Sequence, residues 1–175
     1  NEHMFSTLDS ALKELSEIDL ASLTDEELDD AAVEVARRRE CLEAFEVELL
    51  AAWERRKSWR RDGSRCASTW LAKRRRSPKS ECGSLLWLGR ALLDMDLVAA
   101  AFCAGEIGKA HVRRIHALRN DRTQAAFARD EALFLRWAME LSFFEFCTEL
   151  EMWLLDEDPD GSSQRDQDRR DRRDV

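Results

Sequence analysis

The amino-acid sequence predicts an all-α fold: a multi-helix bundle with one long helix near the N-terminus, two helix-turn-helix-like corners and no sheet. Composition is the first reason, because the 175 residues include 2 Pro and 6 Gly and are rich in the strong helix formers Ala, Leu, Glu and Arg. Val, Ile and Thr, which favour strands, are scarce, and Tyr is absent. Apolar residues also recur at helical spacing, and a chain of this length can bury a real core.

The N-terminal third predicts a short helix followed by a long one. Ser6 can cap the first helix, which the stretch Asp19 to Ser22 ends. Thr24 and Glu27 have the spacing of a capping box, which predicts a helix over residues 25–57.

The long helix carries an apolar residue at every seventh position, and these are Leu28, Val35, Leu42 and Leu49. The stripe is broadened by Ala32, Phe45, Ala52 and Trp53, whereas Arg38 and Arg39 interrupt the second seam of the repeat. Two interpretations remain open: the helix packs within its own domain, or it pairs with a second copy of the chain as a homodimer.

Six shorter helices are expected after the turn at Gly63. Their expected ranges are 65–75, 78–93, 97–104, 109–118, 123–139 and 142–155. The expected caps are Ser77 for the second helix (with Pro78 at its first position), Asp94 or Asp96 for the third and Thr123 for the fifth. A Ser142–Glu145 capping box opens the last. Gly83 and Gly89 interrupt the second of these, which predicts a close approach of another helix there. We therefore expect a single helical domain over residues 5–157 and a charged linker or tail over residues 158–175.

Charge is distributed unevenly along the chain. The net charge is -8, but residues 55–79 carry eleven cations and one anion, whereas residues 1–54 carry four cations and sixteen anions. A strongly basic segment in an acidic protein indicates a local polyanion partner.

The first helix-turn-helix-like corner lies in this basic segment, within "CASTWLAKRRRSPKSECGSLLWLGRAL". In DNA-binding versions of this motif the second helix enters the major groove and nearby cations hold phosphates. The candidate phosphate contacts are Arg60, Arg61, Arg65, Lys73, Arg74, Arg75, Arg76 and Lys79. Two alternatives remain open, namely that these cations offset a helix dipole or form salt bridges with the acids upstream. Trp59, which lies among cations, is the tryptophan to test for base stacking.

A second corner, "LVAAAFCAGEIGKAHVRRIHAL", adds three candidate contacts. These are Lys109, Arg113 and Arg114, on one predicted helix with His111 and His116. The two His are five residues apart rather than three or four, so a metal pair is not expected on this helix.

Other chemistries have no motif in the sequence. There is no GxxxxGK[ST], GxGxxG or GxSxG pattern, and we expect no catalytic residue, metal ligand, cofactor or small-molecule substrate in this chain. Five Cys without a CxxC pair favour buried thiols in a reducing, cytoplasmic location. The most apolar run, residues 85–104, contains Arg90, Asp94 and Asp96, so no membrane span is expected.

The chain resembles the actinobacterial domain of unknown function 222, found in mycobacterial 13E12 repeat proteins. The resemblance runs from about Leu8 to Gly161. Its most specific parts are Asp62-Gly63, Trp70-Leu71, Ala104-Gly105-Glu106 and His111-Val112. Cys66 and Gly108 stand where the family pattern would have Ser.

In that family the domain typically precedes an HNH endonuclease module. The resemblance thus implies a role in an HNH-type protein that acts on DNA, and any divalent metal would belong to the HNH module, whose motif is absent here. The leading hypothesis is a non-catalytic DNA-binding or targeting domain. The alternative is a helical dimerisation or protein-interaction scaffold with no nucleic-acid contact.

Overall fold

The computed structural model describes residues 5–160, and within that range the fold is all-α, as predicted. The helices are α1 (Ser6–Ser16), α2 (Asp25–Arg55), α3 (Ala67–Arg75), α4 (Lys79–Ala91), α5 (Asp96–Ala104), α6 (Lys109–His116), α7 (Gln124–Glu140) and α8 (Phe143–Glu157). Three 3-10 turns, Leu20–Ser22, Ser58–Asp62 and Leu92–Asp94, lie between them. Most of the predicted tail, residues 161–175, lies outside the described residues.

The chain divides into two compact units, Asn1–Ala36 and Arg37–Val175, with the boundary inside α2. In the first unit, the predicted capping box is confirmed: the Thr24 amide donates to Glu27 Oε2 (2.8 Å) and the Glu27 amide donates to Thr24 Oγ1 (3.3 Å). The bonds that the Thr24 amide and the Thr24 hydroxyl donate to the Glu27 carboxylate lower its pKa below the usual value. None of the side chains of α1 is buried.

The second unit contains a large aromatic core formed by α2 and α4 to α8. Phe102, Phe134 and Phe146 are fully buried in it. The Trp153 ring packs edge-on against Phe134 at 4.9 Å between centroids, and its indole N–H donates to the Asp130 carboxylate at 2.8 Å. This core accounts for the regular packing of the C-terminal helices.

A second, smaller apolar cluster holds α3 against α2 and α4. Its buried residues are Leu50, Ala67, Leu71, Cys82 and Leu86. Trp53, Trp59 and Trp70 pack on its margin, with the Trp53 and Trp70 rings 4.8 Å apart. This cluster therefore positions the backbone that carries the basic segment.

The two glycines of α4 differ in their surroundings. A Cβ at Gly89 would lie 3.0 Å from the Val47 carbonyl oxygen and 3.1 Å from Ala51 Cβ, so the predicted close helix approach is confirmed there. A Cβ at Gly83 would meet nothing within 4 Å, so the same prediction for Gly83 is wrong.

Several helix starts differ from the predicted caps. Ser77 caps no helix, because α4 begins after Pro78, and α3 begins after Cys66 rather than at residue 65. The first turn of α5 is satisfied from another helix, since the Val98 amide donates to Glu131 on α7 (3.1 Å). The Ser142–Glu145 capping box is confirmed.

Thr123 precedes α7 as predicted, but its hydroxyl makes no capping bond. It donates instead to the Leu118 carbonyl (2.6 Å) and accepts from the Asn120 amide (3.0 Å). The buried hydroxyl thus folds the turn before α7 rather than the start of the helix itself.

Asp158, at the predicted start of the tail, is buried. Its carboxylate accepts from the Asn120 side-chain amide (3.2 Å) and from Arg122 Nη2 (3.1 Å), and it forms an ion pair with Arg122 Nε (2.8 Å). The end of α8 is therefore joined to the turn before α7.

Candidate nucleic-acid interface

The corner between α3 and α4 presents the basic segment on a tight turn. Arg76 adopts a left-handed backbone conformation (φ 56°) that directs the chain from α3 into α4. The amides of Arg76 and Ser77 both donate to the Ala72 carbonyl, so the end of α3 is closed by backbone bonds. A non-glycine residue in this conformation is strained by about 1 kcal/mol.

The cations before α3 follow a second left-handed residue. α2 ends at Arg55, two residues before its predicted end, and Lys57 (φ 53°) starts the Ser58–Asp62 turn. Gly63 (φ 75°) ends that turn. The backbone is therefore left-handed at both ends of the turn that joins α2 to the segment before α3.

The candidate cations of this segment are all exposed at the protein surface, and these are Arg60, Arg61, Arg65, Lys73, Arg74, Arg75, Arg76 and Lys79. Arg75 forms an ion pair with Glu46 of α2. The Arg74 guanidinium lies over the Trp70 ring at 4.1 Å, and that of Arg60 over Trp59 at 5.1 Å.

Few of these eight cations pair with an acid among the side chains that the structure describes. Among the side chains that the structure describes, none forms an ion pair with Lys73, Arg76 or Lys79, and the same holds for Arg61 and Arg65. Two other acids of α2 contact cations outside the segment: Glu54 contacts Arg90 (3.7 Å) and Glu43 contacts Lys109 (2.8 Å). The salt-bridge alternative thus accounts for Arg75 and leaves these five cations exposed to solvent.

Cys66, which no sequence motif singles out, lies at the start of α3. Hydrogen bonds with the Ser68 and Thr69 hydroxyls (3.3 and 3.0 Å) lower the pKa of its thiol to about 7, and the charge of Lys79 contributes. The thiol is therefore partly ionised at neutral pH, among the cations. The sequence predicts that Cys66 lies inside a helix over residues 65–75, so its position just before α3 is known only from the structure.

Trp59 packs into the smaller cluster instead of standing clear of the surface. Its ring is half-buried, and within the described residues its indole N–H has no hydrogen-bond partner. Trp59 as the residue to test for base stacking stays a prediction.

The second corner differs from the first because acids of α2 contact the start of its second helix. The Lys109 amide donates to Glu40 (3.2 Å) and the Lys109 ammonium to Glu43 (2.8 Å). Arg113 and Arg114 remain exposed. The prediction that these three residues contact DNA stays a prediction, but the acids on Lys109 disfavour an anion at that helix end.

The two histidines of α6 face other helices. His111 is half-buried against Phe143 and Phe146 (both 5.1 Å between ring centroids), and His116 lies edge-on to Trp87 (4.8 Å). Burial lowers the pKa of both imidazoles. Both imidazoles therefore take part in the packing of α6 against neighbouring helices.

Neither a cluster of metal-ligating side chains nor a membrane-spanning helix is found in the part of the chain that the structure describes. No group of three or more His, Cys, Asp or Glu side chains between residues 5 and 160 is placed to hold a metal ion. None of the helices described is both long and apolar enough to cross a membrane.

Comparison with known families decides the classification. Residues 29–175 match the family model described as domain of unknown function (DUF222). The chain belongs to the DUF222 family. No curated protein and no solved structure matches it. The DUF222 match begins inside α2 and covers both corners and the whole of the second unit, so the basic segment lies within the family domain.

Proposed function

We propose that this DUF222 chain is a non-catalytic domain that binds duplex DNA through the basic segment around α3. The observation that carries the proposal is the set of exposed cations on the α3–α4 corner, where Lys73, Arg76 and Lys79 have no acidic partner among the described side chains. Exposed cations held close together repel one another, and phosphates relieve that repulsion while condensed counterions are released from DNA.

The helix dipole is an insufficient explanation for this clustering. The negative end of a helix interacts favourably with a cation or two in its last turn, and Lys73, Arg74 and Arg75 already occupy the last turn of α3. Arg76 lies beyond that turn in a strained conformation, and Lys79 begins α4, where the dipole disfavours a cation. A polyanion across the corner accounts for both placements.

The geometry supports contact with the phosphate backbone more than reading of bases. The cations lie on turns and helix ends of one corner, and phosphate contacts of this kind position a protein without specifying sequence. We therefore expect affinity for DNA of any sequence, with a strong dependence on salt.

Fluorescence anisotropy of a labelled duplex, measured over a salt series, tests the proposal. The double variant Lys73→Ala/Arg76→Ala should weaken binding on unrelated sequences alike. The slope of log affinity against log salt should flatten by about 0.9 for each phosphate that the variant no longer neutralises.

The matched control is Lys13→Ala/Arg136→Ala, which removes two exposed cations from α1 and α7. This control should bind DNA as the wild type does. Equal losses of affinity in both variants would show that only net charge matters, and an absence of wild-type binding at low salt would reject the proposal.

The family resemblance supports a targeting role within an HNH endonuclease-like protein in the cytoplasm. In that arrangement this chain would supply affinity for DNA, and the nuclease module would supply the metal and the cleavage chemistry. No step of cleavage is assigned to residues of this chain.

The alternative function is a protein-interaction scaffold without nucleic-acid contact. It is favoured by a second apolar face on α2, where Leu42, Phe45 and Leu49 are exposed. The salt series separates the two functions, because a scaffold alone would not bind the duplex.

A further inference from the structure

Helix α2 has two apolar faces in the second unit, and only one of them is covered. Ala44, Val47 and Ala51 are buried in or beside the bundle core. Leu42, Phe45 and Leu49 are 48%, 44% and 50% exposed. Large apolar side chains gathered on one helix face mark an interaction surface.

The two faces point in opposite directions. At 3.6 residues per turn each residue advances by about 100°, so residues 42, 45 and 49 fall within a narrow arc of the helix. Residues 44, 47 and 51 fall about half a turn away. The uncovered stripe therefore points away from the core that α2 helps to form.

The spacing of this stripe matches a helical partner. In a seven-residue repeat, Leu42 occupies the first position, Phe45 the fourth, and Leu49 the first position of the next repeat. Side chains at these two positions interlock where two helices pair. In the first unit, Leu28 and Val35 have the same seven-residue spacing and are also exposed (38% and 58%).

We propose that the exposed stripe of α2 pairs with α2 of a second copy of this chain, with the two helices antiparallel. The charge of α2 favours a copy of itself as the partner. Residues 25–34 contain six acids and no cation, whereas Arg55, Arg56 and Lys57 follow one another at the other end of the helix. An antiparallel arrangement brings the acidic end of each helix beside the basic end of the other.

A parallel arrangement would oppose like charges. Each residue would then lie beside the same residue of the second copy. The six acids of residues 25–34 would face six acids, and Arg38 would face Arg38. In the antiparallel register that sets Val35 opposite Phe45 of the second copy, Asp25 lies opposite Arg55 and Arg38 lies opposite Leu42. The aliphatic part of the Arg38 side chain can then cover an apolar partner.

Light scattering on the full chain tests the pairing. The wild type should have twice the 20.3 kDa mass of one chain. Leu42→Glu and Leu49→Glu should each raise the dissociation constant at least about tenfold, because pairing would bury a carboxylate. At the concentrations where the wild type is dimeric, the double variant should have the mass of one chain.

Matched controls are Val33→Glu, on another face of α2 (70% exposed), and Leu97→Glu on α5 (49% exposed). Both should keep the dimer mass, and circular dichroism should show unchanged helicity in all five variants. A wild-type mass of one chain would overturn the proposal and leave the stripe to a different protein. A wild-type assembly larger than a dimer would also overturn it, as would control variants that lose the dimer mass as fully as the Leu42 and Leu49 variants do.

Charge reversal tests the orientation. Asp25→Arg and Arg55→Asp should each weaken the dimer, and the combined variant should recover wild-type affinity. Tighter pairing of Asp25→Arg alone would show that acids face acids in a parallel pair, which overturns the antiparallel arrangement.

Discussion

At the scale of single residues, Arg76 combines backbone strain with an exposed charge. Its left-handed conformation favours glycine, yet the chain places a guanidinium there. Strained positions that persist in a fold are common at functional sites, and this agrees with a role for Arg76 in binding.

Replacing Arg76 with glycine should separate stability from binding. Arg76→Gly is expected to raise the free energy of unfolding by up to about 1 kcal/mol, because the strain is relieved, and to weaken DNA binding. Urea denaturation and anisotropy measure the two effects. As a control, Arg61→Gly removes a cation without relieving a left-handed residue, so a gain in stability there would contradict the explanation.

Cys66 makes a pH dependence of binding testable. Its thiol has a pKa of about 7, so raising the pH through neutrality adds negative charge beside Lys79 and should weaken DNA binding. Cys66→Ser should bind independently of pH over the same range. An unchanged pH profile in the serine variant would assign the titration to another group.

At the scale of elements, local and distant contacts differ in how well the sequence predicts them. The capping boxes at Thr24 and Ser142 were predicted correctly because both partners lie within four residues. The cap of α5 by Glu131 was not, because the acceptor lies 33 residues away. Pairing of Lys109 with Glu43 is a similar case, with a separation of 66 residues.

The joint between α8 and the turn before α7 should be important for stability. Asp158→Ala leaves the Asn120 amide and the Arg122 guanidinium without their acceptor, and should lower the free energy of unfolding by about 1–3 kcal/mol. Urea denaturation measures the change. Asp160→Ala, two residues further on and exposed, should leave stability unchanged; an equal effect there would contradict a specific role for Asp158.

At the scale of the whole molecule, composition and apolar spacing predicted the helical fold, and short motifs such as Trp70-Leu71 carried the family resemblance, but neither predicted which cations pair with acids. Eleven residues were named from charge alone. Only the structure distinguishes these residues: Lys109 contacts Glu43, whereas Lys73 has no acidic partner among the described side chains. The division of α2 into a covered and an uncovered face likewise depends on which helices surround it.

Leu85 packs against both apolar clusters of the second unit. The smaller cluster has few buried residues, so we expect α3 and its turns to exchange amide hydrogens through local opening while the large core stays closed. Because Leu85 contacts both clusters, a ligand that rigidifies the α3–α4 corner would also reduce motion in the large core.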